Sequence, residues 1–145
     1  MAACREITNS LYEGLDVSSE IRSVHDQSLG ETVLVWDGDS PEAFAVCHCG
    51  EGTEAGSDNC LIKFAAVRAT HRAETVFDRL LESCEVLAVE KGLRRMECGV
   101  NLNRSNTYRR MLELGYRTQI QGVAMHRPDV PAYNRPDVYI LDDWR

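Results

Sequence analysis

The fold is decided by the stretch from Cys60 to Val100. It begins with Cys60-Leu-Ile-Lys-Phe-Ala-Ala-Val-Arg68, an almost continuous apolar run whose one interior charge is Lys63. Such a run suits a strand covered on both faces. The turn Ala69-Thr-His-Arg72 follows, without glycine or proline. From there Val76, Phe77, Leu80, Leu81, Cys84, Leu87 and Ala88 recur at helical spacing, with Glu, Asp and Arg between them. Gly92 ends the helix, because the residue just past a helix end often needs a positive φ. Arg95-Met-Glu-Cys-Gly-Val100 then reads as a second strand with Met96, Cys98 and Val100 on one face. A strand–helix–strand unit of about 40 residues is a right-handed crossover between parallel strands.

Outward from that unit, residues 5–13 predict a short helix with Ile7, Leu11 and Tyr12 as its apolar contacts. Ser18 or Ser19 caps a second helix that buries Val17, Ile21 and Val24. Thr32–Trp36 and Ala43–Cys49 read as strands, and the turn-forming Asp37-Gly-Asp-Ser-Pro41 between them makes an antiparallel hairpin. Gly50–Asn59 is a surface loop by its Gly, Glu and Ser content. After the crossover, Asn103 is placed to cap a helix running to Leu114, with Tyr108, Met111 and Leu112 on one face. Tyr116–Arg127 is a long strand candidate, bent at Gly122, and Val138–Leu141 a last short one. Three prolines exclude a helix or central strand from residues 128–136. These elements describe one α/β domain over residues 1–145, with a mixed sheet that is antiparallel at its ends and parallel in the middle.

The totals narrow the function. With 145 residues the chain is one domain able to bury a core. A formal charge of −7 speaks against a nucleic-acid groove, which needs clustered Lys and Arg. No apolar run approaches the roughly 20 residues that span a bilayer, and the N-terminus lacks the basic and apolar segments of a signal peptide. A cytoplasmic protein is the expectation. Of six cysteines, only Cys47-His48-Cys49 cluster, and on a strand the two thiols face away from the imidazole. Reduced structural thiols, with no metal, are the expectation.

The order of two helices, hairpin, crossover, short helix and closing strands resembles the GNAT superfamily of acyl-CoA-dependent N-acetyltransferases, over nearly the whole chain. The resemblance implies a GNAT-like mixed sheet with helices on both faces. In that family the middle strand ends in an Ala-Val pair and a turn Arg/Gln-x-x-Gly-x-Gly/Ala opens the helix. Its amides hold the pyrophosphate of coenzyme A. Ala66-Val67 falls on the pair, Arg72 on the Arg/Gln, and Leu80-Leu81 on the family's paired leucines. The resemblance therefore implies acetyl-CoA as co-substrate, bound by Ala66, Val67, Arg72 and Ala73. A shifted frame, Arg68-Ala-Thr-His-Arg-Ala73, keeps the Arg and the final Ala but loses the leucines.

The frame also carries departures. Thr75 and Phe77 stand where the family has glycines, which let backbone approach phosphate. In the family's second motif, Arg104 takes an Asn position, Thr107 an Ala, and Met111 the Tyr that often protonates the departing thiolate. Tyr108, one turn earlier, and Glu97, the acid of the crossover strands, are the candidate catalytic groups. A family strand that precedes the first helix is missing from residues 1–16. A partner subunit in a homodimer could cover the edge so exposed, and the chain could equally resemble the second half of a double-GNAT protein. Two functions are implied: transfer of an acetyl group from acetyl-CoA to a small-molecule or peptide amine, or a non-catalytic GNAT-like binding or structural module with a degenerate coenzyme A site. Cofactor binding would need the strands ending at Val67 and Val100 to splay into an open cleft beside Arg72.

Overall fold

The computed structural model describes every residue except 124, 126, 129–134, 144 and 145. Two helices, α1 (Ala2–Leu11) and α2 (Ser18–Asp26), lead into the hairpin of β1 (Gly30–Asp37) and β2 (Ser40–Cys49). The crossover follows as β3 (Asn59–Val67), α3 (Ala73–Glu90) and β4 (Arg95–Cys98), and then α4 (Ser105–Glu113) and β5 (Ile140–Asp142). The sheet runs in the order β1-β2-β3-β4, antiparallel for the first two neighbours and parallel between β3 and β4. Among the described residues no strand precedes α1, and β1 is the sheet's edge. No helix among them is long and apolar enough to cross a membrane.

The period-two alternation of the central strands sorts the core into two layers. Ala43, Ala45 and Cys47 of β2 and Cys60, Ile62, Ala65 and Val67 of β3 face α3, whose buried Val76, Phe77, Leu80, Leu81, Cys84 and Leu87 match the periodic set read from the sequence. Phe44, Val46, Phe64 and Ala66 face the other way, onto Cys4, Ile7 and Leu11 of α1 and Ile21 and Val24 of α2. The phase of β3 changes between Ile62 and Phe64. Val46 pairs with Phe64 while the next residue, Cys47, pairs with Ile62, so Lys63 is the extra residue of a β-bulge. The lone charge in the apolar run thus has a structural place. Its Nζ lies 2.5 Å from Glu54 Oε2 in the loop before the strand.

Four expectations are corrected. The strand expected over 116–127 is absent from its described part, which is irregular. Its apolar residues, Ile120 against Val123 and Met125, fall on opposite faces of an extended chain and so give no single face to bury. All three are exposed. In α4 the inward residues are Thr107 and Met111, whereas Leu112 is exposed and Tyr108 only half-buried. Asn103 does not cap α4; the cap position is Arg104, and Asn103 N–H donates to Asn101 Oδ1 instead. The last strand begins at Ile140 rather than Val138.

Candidate functional site

The bulge at Lys63 divides the outer edge of β3. Below it, Asn59–Ile62 pair in parallel with Arg95–Cys98 of β4. Above it, Phe64–Ala66 pair antiparallel with Asp142–Ile140 of β5. A bulge bends its strand and ends pairing on one side, so β4 leaves β3 at this point, as the resemblance requires. The gap is filled by the chain itself. Val67 N–H donates to Tyr139 O at 3.0 Å, Asp143 N–H to Lys63 O at 3.1 Å, and Asp142 N–H to Gly99 O, just past β4, at 3.0 Å. The fit at Gly99 is tight enough that a Cβ there would lie 2.4 Å from Asp142 O.

Side chains lock the wedge from both layers. Val138, Tyr139, Ile140 and Leu141 are all buried, Val138 and Ile140 against α1 and α2, Tyr139 and Leu141 against α3. The Tyr139 ring packs on Phe77 with centroids 5.1 Å apart, and its hydroxyl donates to Glu74 Oε2 at 2.8 Å. Burial, then the Glu74 carboxylate, pushes the Tyr139 phenol up from its ordinary value. From α4, buried Thr107 Oγ1 donates to Val138 O at 2.8 Å. Asn106 N–H donates to Pro136 O at 3.2 Å. Arg104 Nη1 lies 2.8 Å from Asp142 Oδ1, both side chains nearly sealed from water. The approach is a charge contact rather than an aligned hydrogen bond, because neither atom completes a bond along that line.

Two of the four residues expected to hold the cofactor, Ala66 and Val67, meet this wedge. Ala66 is fully buried opposite Ile140, the amide of Val67 is taken by Tyr139, and Ala73 is buried at the start of α3. Arg72 points elsewhere, its Nη1 2.6 Å from Asp37 Oδ2 at the β1–β2 turn. Arg68, the arginine of the shifted frame, donates from Nε to Pro41 O (3.1 Å) and from Nη2 to Glu6 Oε1 (2.7 Å), tying α1 to the sheet. The two catalytic candidates lie on β4 and α4. Glu97 is half-buried on β4 opposite Leu61, below the bulge, and the Tyr108 hydroxyl shares a hydrogen bond with Thr118 Oγ1 at 3.0 Å.

Sequence reasoning missed Tyr139, Glu74, Gly99 and Asp142. It did flag Phe77, Arg104 and Thr107, as departures from the family pattern. Each of these three touches the C-terminal segment, so the departures follow the occupant of the gap.

No family model matches the chain, and no curated protein matches its sequence. Solved structures do match its shape. TTHA1254 from Thermus thermophilus, as the wild type, superposes with a TM-score of 0.60 at 13% identity, over 90% of this chain and 92% of that one. A single-substitution mutant of the same protein gives 0.61 at 14%, over the same shares. The aminoglycoside N-acetyltransferase AAC(6')-Iy in complex with CoA gives 0.56 at 12%, over 76% of this chain and 92% of that one. At these identities the likeness speaks of fold, and the fold is GNAT-like.

Proposed function

We propose that this chain is a GNAT-fold module whose coenzyme A slot is filled by its own C-terminal strand, and that in this closed state it serves as a binding or structural module rather than an acetyltransferase. The observation that carries this reading is the pairing of Phe64–Val67 with Tyr139–Asp142. In the enzyme reading, amides on this length of β3 would orient the thioester, and here they are not available. The residues present also fit the cofactor poorly at its other end. A pyrophosphate favours a helix N-terminus with free amides and no anion beside it. The first turn of α3 instead carries the Glu74 carboxylate, bridged to Tyr139, with Phe77 fully buried beneath that ring. No catalytic step is therefore assigned to the cofactor.

The magnitudes favour the closed state. Burial of an aliphatic or aromatic side chain contributes about 1.5–3 kcal/mol, and four such residues seal the gap. A ligand that must expel them loses a factor of ten in affinity for every ~1.4 kcal/mol that the strand contributes, net of the chain entropy regained.

A second reading is acetyl transfer from acetyl-CoA to a small-molecule or peptide amine, supported by the shared fold with an N-acetyltransferase. It requires β5 to leave. Isothermal titration of the unmodified chain with acetyl-CoA separates the two: the closed reading expects no heat at millimolar ligand. Micromolar binding, or turnover with a panel of amines, would overturn it in favour of the enzyme.

A further inference from the structure

At the end of the sheet remote from β5, two thiols face each other. Cys49 and Cys60 are direct partners in the antiparallel register of β2 and β3. The next rung outward carries the hydrogen bond from Gly50 N–H to Asn59 O at 3.0 Å. That places Cys49–Cys60 at a non-hydrogen-bonded position, where Cα atoms lie about 4.5 Å apart, at the near end of the range a disulfide accepts. Both side chains belong to the layer facing α3. Their access to solvent differs. Cys60 is fully buried, whereas Cys49 is half-buried and lines a surface recess of about 500 Å³ with His25, Ser28, Gly30, Glu31 and Lys91. Cys47 and Cys84, 3.9 Å apart, lie deeper, and both are sealed from water.

We propose that Cys49 and Cys60 form a peroxide-responsive thiol pair, in which Cys49 is oxidised through the recess and Cys60 resolves it to a disulfide. In the first step the Cys49 sulfur attacks one peroxide oxygen. An S–O bond forms, the O–O bond breaks, and the departing hydroxide takes the thiol proton and leaves as water. In the second step the Cys60 sulfur attacks the sulfenic sulfur, forming the S–S bond, and the expelled hydroxide leaves as water with the Cys60 proton. The two thiols together give two electrons, which reduce one hydrogen peroxide to two waters. No metal or cofactor takes part.

The surroundings set the pace of the reaction. The Cys60 thiol, burial and the neighbouring Glu31 push Cys49 up from the ordinary thiol range, against the pull of Lys91 Nζ, itself 3.0 Å from Glu31 Oε1. Cys60 is pushed up to about 12, chiefly by Cys47. The remaining groups at the site are His25 of α2 and Cys84 of α3, the latter packed against Cys47. The attacking species is the thiolate. Reaction is accordingly slow at neutral pH and accelerates about tenfold for each pH unit below the thiol pKa.

The test is made on the full chain. It is treated with hydrogen peroxide at pH 7, 8 and 9, alkylated, cut with a glutamate-specific protease, which separates Cys60 from Cys47 and Cys49, and mapped by mass spectrometry. The expected result is loss of two free thiols and one Cys49–Cys60 link, with the rate rising about tenfold per pH unit. The link should persist in Cys47→Ala and vanish in Cys49→Ser. Overoxidation of Cys49 without a link would overturn the proposal, as would a link to Cys47 or Cys84, or a link formed only in denaturant. The mapping on the unmodified chain decides the matter even where a variant folds poorly.

Discussion

The two halves of β3 are one apolar run with two different fates. Below Lys63 the outer edge takes β4, its own crossover partner and 36 positions away at each rung, as Asn59↔Arg95 illustrates. Above Lys63 the same edge takes β5, whose residues come 74 to 78 positions later. Leu61-Ile62 has the stronger strand propensity and Ala65-Ala66 the weaker, yet both pairs are buried and both take a neighbour on this edge. What separates them is the bulge, which bends β3 and lets β4 diverge. The comparison teaches that propensity and burial pattern make a strand, whereas a single extra residue decides which segment may lie beside it.

The comparison can be broken at the upper half first. Leu141, fully buried beside β3, should cost about 2–5 kcal/mol when cut to alanine, from lost burial and the cavity left behind. Ile62→Ala in the lower half should cost a similar amount by calorimetric unfolding. Only Leu141→Ala should also loosen β5. A selective effect of Ile62→Ala on β5 would erase the distinction between the halves. Gly99→Ala comes next. Its Cβ would press on the Asp142 carbonyl at 2.4 Å, and backbone on both sides yields little, so a loss near the upper end of roughly 1–3 kcal/mol is expected in urea unfolding. An unchanged midpoint would mean that β5 stands off from β4.

A smaller effect is expected from Thr107→Val, which keeps the shape but removes the donor to Val138 O. The loss should be about 1 kcal/mol, measured against Thr118→Val, which touches the Tyr108 hydroxyl instead.

The smallest concerns α2, far from the edge of β3. Hydrogen bonds from Ser18, then the charge of Arg5, hold the exposed Asp16 carboxylate below its ordinary range. A depressed carboxylate adds stability above its unfolded pKa and loses it as pH falls through the folded one. Asp16→Asn should therefore lower the melting temperature slightly at pH 6, and the gap between the two proteins should close in acid. A gap that widened in acid would reverse the assignment.

Local signals carried the lower half of this comparison and only part of the upper. The α3 face from Val76 to Ala88 was legible because helical periodicity is local, and the hairpin because its turn chemistry lies in five consecutive residues. A last strand was legible near Val138–Leu141, though it runs Ile140–Asp142; its place was not, since pairing over more than seventy residues leaves no mark within the segment. Arg104 and Thr107 stood out only as misfits to a family motif. Their meaning lies in Asp142 and Val138, which they hold. The strand expected over 116–127 failed for the converse reason: β-prone residues without one apolar face give no reason to pair. Glu97 and Tyr108 were legible by residue type and helix spacing, signals that carry no information about a segment pairing from more than seventy residues away.

The amide of Val67, bound to Tyr139 O at 3.0 Å, reports on the closed slot. Hydrogen exchange of this amide, followed by NMR with and without millimolar acetyl-CoA, tests it most directly. The closed slot predicts exchange as slow as that of the core amides of β2 and β3, and no change on adding acetyl-CoA. Exchange as rapid as that of an exposed, unpaired amide, or a shift of the Val67 resonance upon addition of acetyl-CoA, would contradict it.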